Sequence, residues 1–152
     1  MKISIFSIER SSKDAYKTIE DEFVKMSSKF ADVKTVEIQD KNVQKAVKIG
    51  INEAKDSYSK AYEHHLKGFC IALDESGELM DSKSFSLLFD GMRSEINFFL
   101  GGAYGFDKLF LSKFDRVISL SPMTFGHKLA RVALLEQVFR GLAIKNNHPY
   151  HK

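Results

Sequence analysis

Ile96 to Gly105 reads INFFLGGAYG, an apolar run that breaks into three glycines within five residues. Two phenylalanines and an isoleucine in so short a run predict a strand covered on both faces, and the glycines predict that its exit bends sharply or approaches something closely. Glycine spacing alone also suits an ordinary tight turn after a central strand. A second loop of the same kind favours a ligand. Arg116 to Leu120 (RVISL) is another short apolar run, and it empties into Ser121, Pro122, Met123, Thr124, Phe125 and Gly126 before a long helical pattern begins. Two strands releasing such loops at one sheet edge make a cleft, and ligands of open parallel sheets sit outside the strands' carboxyl ends.

Working outward, Lys2 to Ile8 reads as a first strand, and Ser11 or Ser12 is placed to cap a helix carrying Ile19, Phe23, Met26 and Phe30 at spacings of four, three and four. Val33 to Ile38 is a second strand. From Asn42, a potential cap, a helical pattern runs through Val47, Ala54, Tyr58 and Tyr62, bent near Gly50 and stopping at Lys67 and Gly68. Phe69 to Leu73 (FCIAL) is a third strand with a polar exit loop over 74–78. Ser82 or Ser84 then caps a short helix with Phe85, Leu88, Phe89 and Met92. After the glycine loop come a helical segment near Lys108 to Leu111, the strand at 116–120 and a last helix from His127 to Ile144. Strand and helix alternate five times, which predicts an α/β layer fold, one domain over 1–152, with a mostly parallel sheet. The last helix is apolar on more than one face, so it needs two covers, either its own sheet and another element or a partner subunit.

The chain has 152 residues, 43% hydrophobic and 28% charged, with only two prolines. No apolar run suits a signal peptide or a membrane span, so a cytoplasmic protein is expected. The single cysteine, Cys70, lies inside FCIAL and reads as a buried, inert thiol. His64 and His65 are adjacent, whereas a helical metal pair needs a spacing of three or four; no metal site is expected. The net charge is +3, but residues 127–152 hold five cations against the single acid Glu136, while the first 126 residues balance to −1. A basic, solvated helix and a phosphate-facing surface both fit that distribution.

GGAYG lacks the spacing of a dinucleotide fingerprint, and no P-loop lysine follows it. Together with Leu73 at the end of FCIAL, the two loops offer backbone amides and few charges, a surface suited to an adenine or a thioether. Four segments in order, LGGAYG (100–105), SLSPMTFGH (119–127), LARVALLEQVFRGLAI (129–144) and the terminal HPYHK (148–152), resemble the RlmH-type family of SPOUT methyltransferases. The resemblance covers the full length and is most specific from Phe98 onward. It implies a homodimer whose α/β fold, with helices on both faces of the sheet, carries a deep C-terminal trefoil knot. It also implies S-adenosylmethionine as cofactor and methylation of N3 of a pseudouridine in large-subunit ribosomal RNA on assembled ribosomes. By matching positions, Leu73, Gly101, Gly102, Gly105 and Ser121, Pro122, Met123, Thr124, Phe125 and Gly126 would line the cofactor pocket. In one departure, Gly126 stands where that family often has proline, which bears on the rigidity of the loop.

His127 and His151 are candidates for acid/base or substrate-positioning roles, and Arg131 for a phosphate contact. A helix-terminal histidine that merely bonds the loop is the competing reading for His127. Tyr150 could stack on a base or tuck onto a partner subunit. A dimeric, non-enzymatic module that senses an adenine ligand is the main alternative, and a transfer-RNA methyltransferase the lesser one; a histidine-rich basic tail from His148 to Lys152 argues against the sensor.

Overall fold

The computed structural model describes residues 1–91 and 93–151. Five strands, β1 (Lys2–Ile8), β2 (Asp32–Ile38), β3 (Phe69–Leu79), β4 (Glu95–Leu100) and β5 (Arg116–Ser119), form one sheet in the order β2-β1-β4-β3-β5. Every pairing is parallel, so all carboxyl ends lie along one edge. The predicted organising strand is the central one, and Ile96, Phe98, Phe99 and Leu100 are all buried.

Helices cover both faces, as the alternation predicts. On one face α1 (Ala15–Ser27), α4 (Ser82–Ser86) and α6 (His127–Lys145) pack over Ile3, Ile5, Ile71, Ile96 and Phe98. On the other, α3 (Ile51–Glu63) and α5 (Lys108–Leu111) close a largely aromatic layer of Phe6, Tyr62, Phe99, Phe106, Phe110 and Phe114. The helix α2 (Lys41–Ile49) packs on α3, and Gly50 separates the two at the predicted bend. Gly68, with φ of 63°, supplies the left-handed turn before β3, but α3 itself ends at Glu63, short of Lys67.

Several local expectations are corrected. The caps are aspartates: Asp14 instead of Ser11 or Ser12, Asp40 instead of Asn42, Asp81 instead of Ser82 or Ser84. In each the carboxylate accepts a backbone N–H of the first turn, and an anion there also suits the helix dipole. Ile19 is 41% exposed while its neighbour Glu20 is fully buried, so the stripe of α1 includes a charge. Residues 74–78 are no free loop: the chain bulges after Leu73 and rejoins β5, where Glu78 pairs with Ile118. The Gly77 position permits that return, because a Cβ there would lie 2.5 Å from the Ile118 backbone. Met92 lies outside the described residues. Cys70 is buried as expected, and burial raises its pKa. Among the described residues no helix is long and apolar enough to cross a membrane.

The helix α6 receives both of its covers from its own chain, α1 on one flank and α4 with the 3-10 turn Leu87–Phe89 on the other. Close approach depends on Gly141, where an added Cβ would lie 2.5 Å from the Phe89 ring and 3.3 Å from Phe85. Gly141→Ala is therefore expected to lower stability by about 1–3 kcal/mol in urea unfolding, overriding the helix propensity that alanine adds.

Candidate functional site

Register places the predicted cleft. Leu73, where β3 leaves the regular ladder, pairs with Leu100 of β4 on one side and Ile118 of β5 on the other, so three adjacent strands end side by side. The two loops leave from those ends. Gly102 and Gly105 close a small antiparallel bridge, with the Gly105 N–H donating to the Gly102 carbonyl at 2.9 Å, and Gly105 has φ of 69°. The sharp bend falls at Gly105. The close approach falls at Gly102: a Cβ there would run into the ring of Tyr58 from α3. Next to it the Tyr62 hydroxyl donates to the Leu100 carbonyl at 2.6 Å. These two tyrosines, visible in the sequence only as apolar positions of a helix, clamp the glycine loop from beneath and leave its other side open.

The second loop is held at its ends. Ser119 Oγ donates to the Ser121 carbonyl at 2.9 Å, the Met123 N–H donates to Ser121 Oγ at 3.0 Å, and Thr124 Oγ1 donates to Glu75 in the bulge of β3 at 2.6 Å. Pro122, Met123, Thr124, Phe125 and Gly126 are all exposed, Met123 to 75%. Apolar side chains and backbone groups therefore line an edge that carries little charge beyond Asp74 and Glu75, and a Cβ added at Gly105 would have only Asp74 near it, at 3.8 Å. That donor set fits an adenine and a thioether. A hollow of about 580 Å³ between α2 and α3 is lined by Asp40, Glu53, Asp56 and Lys60 and includes none of these residues.

Gly126 has φ of −59° and ψ of 140°, nothing within 4 Å of an added Cβ, and no backbone hydrogen bond from its N–H among the described residues. That backbone already suits proline, so the glycine leaves the unfolded chain looser without being needed by the fold. Gly126→Pro is expected to raise stability by about 0.4–1 kcal/mol, read from denaturant unfolding. A loss instead would show that Phe125 does not adopt the extended backbone that precedes proline.

Arg131 is a correction. It is 2% exposed, and its guanidinium is spent inside the protein. Nε donates to Glu20 at 2.6 Å, one terminal nitrogen pairs with Glu9 and donates to Ser7 Oγ at 2.7 Å, and the other lies 3.4 Å from Glu37. A phosphate contact is closed to it. Burial raises the pKa of Glu20, against the pull of Arg131, and one guanidinium shared by three carboxylates leaves that shift standing. Removing the cation leaves three uncompensated acids, so Arg131→Met is expected to cost about 3–5 kcal/mol in urea unfolding. A loss below about 1 kcal/mol would mean that the carboxylates reach water without it.

His127 begins α6 beside this cluster. Its Nε2 is buried without a hydrogen bond and lies 3.7 Å from Glu9, and the Gly101 carbonyl faces the ring. Burial lowers its pKa, outweighing Glu9, so the imidazole is neutral at pH 7. It joins the exits of β1 and β4 to the loop before α6.

The tail forms a separate cluster. Asn147, at φ of 52°, turns the chain back, and the His148 N–H donates to the Ala143 carbonyl at 2.9 Å. Tyr150 packs edge-on to Phe139 at 4.6 Å, its hydroxyl donates to Glu136 at 3.2 Å, and Arg140 lies 4.8 Å over its ring. His151 Nδ1 is 3.5 Å from Arg140. Glu136 and Arg140, ion-paired to each other, enter the sequence reading only through their charge; their spacing of four on one helix face is the available signal. Thirteen residues separate His127 from Arg140, roughly 20 Å along the helix, so one chain does not bring His127 and the tail together.

The family model described as "Predicted SPOUT methyltransferase" matches residues 1–151. The "Ribosomal RNA large subunit methyltransferase H" of Aliarcobacter butzleri is 52% identical over 152 residues, covering 100% of both chains. The protein of that name from Campylobacter concisus is 45% identical, again over 100% of both. The SpoU methyltransferase AviRb of Streptomyces viridochromogenes, crystallised with AdoMet, matches at a TM-score of 0.44 and 9% identity, covering 97% of this chain and 58% of its own. With a family model spanning the parallel sheet, both loops and α6, and full-length relatives at this identity, the chain belongs to the SPOUT methyltransferases, among the ribosomal RNA large subunit methyltransferase H proteins.

Proposed function

We propose that this protein is an S-adenosylmethionine-dependent methyltransferase of large-subunit ribosomal RNA that modifies N3 of a pseudouridine on assembled ribosomes in the cytoplasm. The observation that carries the reading is the meeting of Leu73, Leu100 and Ile118, with two loops leaving one sheet edge, in a chain whose curated relatives are named as large-subunit ribosomal RNA methyltransferases. The regulatory alternative draws no support from those names.

The cofactor supplies an electrophilic methyl group; what the chain supplies is alignment. Leu73, Gly101, Gly102, Gly105 and 121–126 would hold the adenine and the thioether. Neutral His127 keeps the glycine loop and the second loop in register. Tyr150 and His151, set by Glu136 and Arg140, are the groups suited to meet the nucleotide, the ring by stacking and the imidazole by accepting a proton. Their separation from the cleft within one chain supports a homodimer in which each tail serves the partner's cleft. Exposed Tyr16 and Leu129, flanking the Lys128–Asp14 ion pair, offer apolar surface for that contact. A C-terminal trefoil knot is the topology the family membership favours, and the return of the chain from edge strand β5 to α6 against α1 is compatible with it.

Labelled methyl transfer from S-adenosylmethionine to ribosomes lacking the modification, followed by digestion to nucleosides, tests the reading. Label is expected in N3-methylpseudouridine and at a low level with deproteinised RNA. Cofactor binding without label would redirect the acceptor, and equal turnover on free RNA would sink the dependence on assembled ribosomes.

A further inference from the structure

The basic C-terminal quarter marked by the sequence does not survive folding as a phosphate-facing surface. Lys128 pairs with Asp14, Arg131 with Glu9 and Glu20, Arg140 with Glu136, and Lys145 lies 3.7 Å from Asp90. Its four described cations are thus all engaged by carboxylates.

Three lysines and no acid lie instead on one short helix, α2, whose sequence is KNVQKAVKI. Lys41, Lys45 and Lys48 recur at spacings of four and three, which stacks them on one face, opposite buried Val43. None has an ion-pair partner among the described residues; lysines elsewhere, such as Lys2, Lys34 and Lys55, also lack one, but no other described element carries three on one face, and Lys17, Lys60 and Lys128 on other helices are paired. Arg10 extends the face, donating to Gln44 at 2.9 Å. The nearby acids Asp40, Glu53 and Asp56 line the hollow on the flank toward α3. The arrangement works against the helix, since like charges at these spacings repel and Lys41 sits in the first turn, where the helix dipole disfavours a cation.

Its position is also informative. Val43 packs with Tyr58, whose ring supports Gly102, so one layer of side chains separates α2 from the glycine loop. Arg10 and α2 follow β1 and β2, which end on the same sheet edge as the cleft. Neighbouring strands are ~4.8 Å apart, so this face lies within a few nucleotides' reach of the cleft at β4.

We infer that Lys41, Lys45 and Lys48, with Arg10 beside them, form a second RNA contact that grips the phosphate backbone flanking the target nucleotide. The inference rests on the ribosomal RNA reading for its partner and assigns the charged surface that reading requires.

The test compares the parent, K41Q/K45Q/K48Q and K41R/K45R/K48R in ribosome binding across about 50–200 mM salt, with methyl transfer measured in parallel. Glutamine and arginine both support helices as lysine does, so α2 persists in both variants. The glutamine variant is expected to bind ribosomes roughly tenfold more weakly, with the slope of log K against log salt shallower by about 2. The arginine variant is expected to match the parent, and S-adenosylmethionine affinity to be the same in all three. A glutamine variant with the parent's affinity and slope overturns the inference even if the parent methylates ribosomes. A shallower slope in a series whose parent transfers no methyl group supports the contact and counts against the proposed reaction instead.

Discussion

The buried guanidinium of Arg131 is the constraint on which the arrangement of the edge depends. It reaches Ser7 and Glu9 at the exit of β1, Glu37 of β2 and Glu20 of α1, so one side chain of α6 is tied to three other elements. Pairs of this kind recover little net stability after desolvation, but a misplaced partner is costly, so they act mainly as a register device. Here they set where α6 begins, and therefore where the loop over 121–126 must end. His127, one turn earlier, carries that placement to Gly101.

The other side of the cleft is held from the opposite face of the sheet. Tyr58 and Tyr62 on α3 fill the space beneath the glycine loop, and the bulge after Leu73 meets the second loop through Glu75 and Thr124. Each loop is thus positioned by elements distant in sequence, while the surface left open is backbone and apolar side chain. A cofactor recognised through adenine and sulfur would find rigid walls there with little competing charge.

Charge on this protein is redistributed by folding. Three of the four cations of α6 meet acids contributed by the first 90 residues and Arg140 meets Glu136 of the same helix, so the helix that looks most basic becomes largely neutral at its surface. A net charge of +3 is then a poor description of what a polyanion would meet, because α2 presents three unpaired lysines on one face. An enzyme that holds RNA through a few such contacts depends on the shape of its partner for the rest of its affinity.

The sequence by itself determined the alternating α/β order, the central strand at Ile96–Leu100, the two loops and the full-length family resemblance. Period, glycine placement and motif order are local properties, written in neighbouring residues. Caps were misplaced by a few residues because serine, asparagine and aspartate compete for the same role, and the backbone geometry that chooses among them is not local. Only the tertiary structure decided that Arg131 is internal, that Tyr58 underlies Gly102, that Glu136 and Arg140 organise the tail, and that the three lysines of α2 stay unpaired while the cations of α6 do not. Each of these depends on which distant groups meet across the sheet, and a buried glutamate such as Glu20 declares itself only when the guanidinium that stabilises it is in place.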